Sequence, residues 1–199
     1  MIHLIRHGET PGNARRFLQF PGTPLSERGL EQARRLGERL ACEEVNRILS
    51  SDYARAAATA GQIAAATGAP IEYEPLLRER HFGALRGTPY HELQVNPFAP
   101  DYTPPDGESW AIFHARVDRA WERILEAAAG GPLVVVTHGL VGLSLARRRL
   151  TLPANQASEL TGLANTSLTS VETTPPFRVT RLNCTAHLED TAAPPGAPA

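Results

Sequence analysis

Two apolar runs break off into the same dipeptide: Met1 to Ile5 leads into Arg6-His7-Gly8, and Pro132 to Val136 leads into Thr137-His138-Gly139. Each reads as a buried strand that delivers an imidazole to a turn at its carboxyl end. Strands so far apart in sequence can be neighbours in a parallel sheet, provided the chain between them crosses over. Both histidines would then meet at the carboxyl edge, where open α/β sheets place their ligands.

The intervening chain supplies the crossovers. Ser26 is a plausible amino cap for a helix in which Leu30, Ala33, Leu36, Gly37 and Leu40 recur at helical spacing. Residues 45–49 and 71–73 suggest short strands, with a helix from about Tyr53 to Thr67 between them. Residues 14–24 and 76–87 read as loops, and 89–105, rich in Pro and aromatics, as a lid or pocket wall. A long helix opens at Gly107-Glu108-Ser109 and carries Trp110, Phe113, Val117, Trp121, Ile124 and Leu125 on one stripe, which makes both tryptophans core residues. Helices are expected at 140–149 and 155–160, and late strands at 167–172 and 177–182. The expected fold is a three-layer α/β/α sandwich with a mostly parallel central sheet and one antiparallel edge. One domain spans 1–190, followed by a Pro/Ala-rich tail at 191–199.

An arginine and a histidine side by side, with glycine next so that backbone can approach closely, suit an anionic substrate, phosphate first. Arg55, in the first turn of a helix, adds a second guanidinium where backbone N–H groups already favour an anion. Surrounding positive charge would favour neutral imidazole on His7 and keep a nitrogen lone pair available. Two histidines and a glutamate could suggest a metal, but Arg6 and Arg55 would repel a cation, so no metal is expected.

These stretches resemble the histidine phosphatase superfamily, also called phosphoglycerate mutase-like. The likeness rests on Arg6-His7-Gly8-Glu9-Thr10 with Asn13, Ser50-Ser51-Asp52 with Arg55-Ala56 and Thr59-Ala60, Leu77-Arg78-Glu79 with Phe82-Gly83, and Val136-Thr137-His138-Gly139, all in the family's order. The resemblance implies His7 as nucleophile, and Arg6, Asn13, Arg55 and His138 as phosphate ligands. It implies Glu79 as general acid and base, with His81 as a neighbour able to position it; Gln19 could add an amide to the phosphate. His3 is expected in or beside the sheet, and His91, His114 and His187 as surface or helix-face residues with no function.

Within the family, the residues favour a phosphatase over a phosphoglycerate mutase. Phe82 stands where the resembling mutases have Tyr, Thr88-Pro89-Tyr90 supplies no lysine, and no Arg or Lys lies between Arg86 and Arg116. Arg86 departs from the phosphatase branch too, which often has Glu there. A phosphomonoesterase of small metabolites is the expectation, with a mutase or a non-catalytic phospho-ligand module as alternatives. Phe82, Tyr90, Phe98 and Tyr102 could wall in the substrate's organic part.

Composition narrows the rest. With all 20 basic residues arginine, lysine chemistry is excluded: no Schiff base, no P-loop. A net charge of −1 gives no sign of nucleic-acid or membrane partners. Cys42 and Cys184 sit in no metal or redox spacing and read as structural thiols. With a charge in the first strand and no spanning apolar run, the expected compartment is the cytoplasm, and the expected state a monomer or homodimer with no cofactor.

Overall fold

The computed structural model describes residues 1–154, 156 and 160–189. Six strands form one sheet: β1 (Ile2–Arg6), β2 (Arg47–Ser50), β3 (Ile71–Tyr73), β4 (Leu133–Thr137), β5 (Leu168–Val171) and β6 (Val179–Cys184). Their order is β3-β2-β4-β1-β5-β6. The first four run parallel, and β5 is antiparallel to both its neighbours. The antiparallel strand is therefore one in from the edge, because β6 returns beside it.

Alternation along the strands divides the core in two. Ile2, Leu4, Leu133 and Val135 face α4 (Trp110–Ala128) and α5 (Gly139–Arg148), where Phe113, Val117, Trp121, Ile124 and Leu145 are buried. Ile5, Ile48, Val134 and Val136 face the opposite layer, packing with Leu36 and Leu40 of α2 (Glu27–Leu40) and Ile63 of α3 (Ala54–Thr67). The three-layer sandwich follows.

Local signals account for the starts of α2 and α4. Ser26 accepts from the Gly29 N–H at 3.0 Å, and Ser109 caps α4 through the Ile112 N–H at 3.2 Å. Three expectations are corrected. Leu30 is 44% exposed, because α2 turns Gly29, Ala33, Leu36, Gly37 and Leu40 inward instead. The loop expected at 14–24 is preceded and overlapped at 14–15 by a helix of five residues, α1 (Pro11–Arg15), opened by a reciprocal Thr10/Asn13 capping pair. Trp110 is only half-buried. The helix expected at 155–160 and the tail at 191–199 lie outside the described residues, save 156 and 160.

The wall at 89–105 is held by Arg80, which is 1% exposed. Its guanidinium donates to the carbonyls of Pro97 (2.8 Å), Tyr102 (2.8 Å) and Glu108 (3.1 Å). It lies over the Trp110 ring, 4.0 Å from its centroid. Gly83, at φ +54°, turns so tightly that a Cβ there would sit 1.7 Å from the Pro105 carbonyl oxygen. Both cysteines are free thiols. Among the described residues no helix is long and apolar enough to cross a membrane.

Candidate active site

The parallel pairing of β1 with β4 sets Arg6 opposite Thr137, and the ladder continues as the His7 N–H donates to the Thr137 carbonyl at 3.0 Å. Register alone brings the two His-Gly turns together. The His7 and His138 rings lie 5.1 Å apart, edge to face. β2 continues by one residue too, its Ser51 N–H bonding to the Val136 carbonyl, which puts the Ser51 hydroxyl 2.8 Å from His138 Nε2.

His7 has a defined tautomer. Its Nδ1 lies 2.7 Å from the Gly8 carbonyl oxygen, which can only accept, so Nδ1 carries the hydrogen. Nε2 keeps its lone pair and accepts from Arg55 Nε–H at 3.2 Å. Gly8 is required there: its N–H donates to Thr59 Oγ1, and a Cβ would fall 2.5 Å from the Gly29 carbonyl oxygen of α2.

Burial and charge act together on the imidazoles. His7 is 3% exposed and its pKa lies well below the usual histidine value, chiefly through burial, then through Arg55 and Arg6. The expectation from charge alone had the direction right and named the smaller cause. His138, fully buried, is lowered likewise, by burial first and then by Arg55 and His7. Arg55 is 2% exposed and brought down by burial to about 10, still a cation at neutral pH.

This has a consequence for stability. A histidine whose pKa is lower folded than unfolded contributes stability that is full above the unfolded value near 6.5 and declines as pH falls. Urea unfolding between pH 7.5 and 5.5 is expected to show stability dropping below about pH 6.5, by about 1.4 kcal/mol per pH unit for each of His7 and His138. His3, His81, His114 and His187 shift in the same direction. Stability flat across that range would refute the neutral, buried pair.

The other expected residues gather around His7. Arg6, His7, Asn13, Gln19, Arg55 and Glu79 all line one cavity of about 210 Å³. His138 touches His7 but does not itself line that cavity among the described residues. Asn13 Oδ1 accepts from the Thr10 N–H at 3.2 Å and from Asn165 Nδ2 at 3.3 Å. The Gln19 carbonyl is taken up by the Thr10 hydroxyl at 2.8 Å. Glu79 Oε1 accepts from the Arg80 N–H at 3.0 Å, and Oε2 from the Leu140 N–H at 3.1 Å, so its carboxylate meets the amino end of α5. Two buried nitrogens beside His7, Arg6 Nε and His138 Nδ1, have no hydrogen-bond partner among the described residues.

Some neighbours were not anticipated. Asn165 donates to the His7 carbonyl at 2.9 Å and braces Asn13 from the loop before β5, with no local sequence signal to announce it. The Tyr53 ring lies 5.4 Å from that of His138, and the Arg55 guanidinium 5.3 Å from the Tyr53 centroid. Phe82, Tyr90 and Phe98 form the apolar wall, whereas Tyr102 offers only its carbonyl to Arg80. Among the described residues the His81 ring makes no hydrogen bond to Glu79. Its Nδ1 accepts from the Gly83 N–H and its Nε2 faces Arg86. His3 is buried as expected, between Ser170 and Glu43. His187 is half-buried rather than on the surface, facing Thr166 Oγ1 at 3.0 Å, and its pKa is lowered to about 4, mainly by burial. Among the described residues, no group of three or more His, Cys, Asp or Glu side chains is placed to hold a metal.

Fold and site together define an α/β protein with a histidine and two guanidinium groups at the carboxyl edge of a parallel sheet. The chain belongs to the histidine phosphatase superfamily, branch 1, whose model matches residues 2–185. It is 34% identical over 181 residues to a protein named probable phosphoglycerate mutase GpmB of Yersinia pestis (strain Pestoides F), covering 86% of this chain and 84% of that one. Among solved structures it resembles YhfR of Bacillus stearothermophilus, with a TM-score of 0.81, 31% identity, and 94% and 98% of the two chains covered. It also resembles a mycobacterial glucosyl-3-phosphoglycerate phosphatase in complex with VO3 (TM-score 0.74, 28% identity, 86% and 90% covered). The α-ribazole phosphatase of Shigella flexneri matches with a TM-score of 0.80, 26% identity, and 92% and 96% covered. The chain is thus an enzyme of the phosphatase and mutase kind.

Proposed function

We propose that this enzyme is a metal-independent phosphomonoesterase that hydrolyses a small phosphorylated metabolite through a phosphohistidine on His7. The observation that carries this reading is the tautomer of His7, with Nδ1–H held by the Gly8 carbonyl and the Nε2 lone pair directed at Arg55. Free, that lone pair is masked by the Arg55 Nε–H. A phosphate oxygen offers Arg55 a charged acceptor in its place, so binding substrate releases the nucleophile.

Each step then follows. The His7 Nε2 lone pair forms a bond to phosphorus as the bond to the leaving oxygen breaks, and the protonated Glu79 carboxyl gives that oxygen its proton. Water next loses a proton to the Glu79 carboxylate and attacks phosphorus, and the N–P electrons return to Nε2. Arg6, Arg55, Asn13 and His138 steady the equatorial oxygens, where the charge of a loose transition state resides. With the Ser51 hydroxyl donating to His138 Nε2, the unpartnered Nδ1 bears the hydrogen and serves as a donor. Gln19 adds its amide at the rim of the same cavity.

Hydrolysis is favoured over mutation by Phe82, by the missing lysine beyond it, and by the phosphatase names of two structural neighbours. Incubation with 3-phosphoglycerate and with p-nitrophenyl phosphate, in chelator and without added metal, tests the reading. Free phosphate is expected with no 2-phosphoglycerate. Isomer without phosphate would make the protein a mutase, and activity restored only by a divalent ion would refute the metal-free mechanism.

A further inference from the structure

Glu79 sits in a stretch without regular structure: residues 78–82 belong to neither strand nor helix. The carbonyls of this stretch, and of the single 3₁₀ turn Pro75–Leu77 before it, have no ladder to join and need donors from side chains. Those of Leu76, Arg78 and Glu79 accept from the Arg116 guanidinium at 2.7, 2.7 and 3.4 Å. That of Leu77 accepts from the Thr137 hydroxyl at 2.8 Å.

Arg116 is itself fixed from behind. It stands in the second turn of α4, with Nε and Nη2 each 2.7 Å from a carboxylate oxygen of Glu108. Both side chains are at most 17% exposed. With three carbonyls and two carboxylate oxygens as acceptors, all five guanidinium N–H groups are committed. Glu108 then holds the chain on the other side of Glu79. Its Oε2 accepts from the His81 N–H at 2.9 Å, its own N–H donates to the His81 carbonyl at 2.8 Å, and its carbonyl accepts from Arg80 Nε at 3.1 Å. The backbone is gripped both before and after Glu79.

This pair works away from the phosphate. Among the described residues, neither Arg116 nor Glu108 lines the cavity beside His7; both line a second one, of about 390 Å³, and Glu79 borders the two. To protonate a leaving oxygen, the Glu79 carboxyl must come within hydrogen-bond reach of it. The carboxylate is steadied by the Arg80 and Leu140 N–H groups, but where its backbone stands is decided by Arg116 and Glu108. A shift of about 1 Å in a group of this kind can cost a factor of about 10² in rate.

Resting on the reading of Glu79 as acid and base, we propose that Arg116, backed by Glu108, is a positioning residue for that carboxyl. Phosphate release from glycerol 3-phosphate, an alkyl ester, and from p-nitrophenyl phosphate reads the effect. In R116Q, kcat/KM is expected to fall at least about tenfold for the alkyl ester and less than about threefold for the aryl ester. In a Glu79→Gln background, R116Q should change the alkyl value less than about twofold, because the carboxyl it positions is gone. R116K, which keeps the cation but offers three donors to five acceptors, should recover part of the loss. R116Q alone leaves the Glu108 carboxylate without its cation, so R116Q/E108Q, which removes both charges, is a second variant, expected to show the same bias against the alkyl ester. Thermal unfolding of each variant follows its fold. Equal losses on the two esters, a loss of the same size in the Glu79→Gln background, or no loss at all would each overturn the positioning role. Glu79→Gln lowering both esters alike would instead remove the acid itself, and no phosphate from either ester in the unaltered enzyme would sink the phosphomonoesterase reading.

Discussion

Replacing His7 with Ala is expected to lower kcat at least about 10³-fold and to abolish any acid-labile phosphoenzyme. The expected loss is large because no other group among the described residues of the cavity offers a comparable nucleophile. Cys42 is exposed and remote in sequence, there is no lysine, and His138 already engages Ser51 through Nε2. His7 is also 3% exposed, so the variant's folding must be followed in parallel by thermal unfolding. His7→Asn, which retains a polar group near the Gly8 carbonyl, supplies a second variant with a smaller packing defect. A folded variant of either kind that turns over at near the normal rate would remove His7 from the nucleophile's role.

Glu79→Gln separates chemistry from packing in a different way. For an alkyl phosphate, whose leaving oxygen needs a proton, kcat/KM should fall by about 10²-fold or more. For p-nitrophenyl phosphate, which leaves readily unprotonated, the fall in kcat/KM should stay below about tenfold. Because the same carboxyl serves as base in the second step, the aryl ester should show a burst of nitrophenol as phosphohistidine accumulates. Gln keeps an acceptor for one of the Arg80 and Leu140 N–H groups and turns a donor on the other, which costs about 1 kcal/mol of stability. A purely structural Glu79 would lower both substrates by the same factor, and that equality would refute its role as acid.

How far the sequence carried this depends on how local each signal was. The capping residues Ser26 and Ser109, the period-two strands and the helical stripes are written within a dozen residues, and the elements formed nearly where expected. The overlooked α1 had its signal in Thr10-Pro11-x-Asn13, but a helix of five residues gives no periodicity to read. Leu30 misled because one exposed leucine at helical spacing looks like a core residue until α2 has something to lie against. The position of β5 one strand from the edge also depended on which neighbour β6 would choose.

The site divides along the same line. That a histidine, an arginine and a glycine end an apolar strand, and that a second strand ends likewise, was enough for the sequence to determine phosphoryl chemistry as the expectation, since hydrogen-bonding inventory and charge are properties of residue types. Proximity is not. Only parallel pairing of β1 with β4 brought two turns 131 residues apart into ring contact, and only the packing of α3 laid Arg55 on His7 Nε2. Burial, the larger cause of the neutral imidazoles, exists only once the layers close. Asn165 shows the limit most plainly: its partners, the His7 carbonyl and Asn13, lie more than 150 residues away, and nothing near it along the chain says where its donors will point.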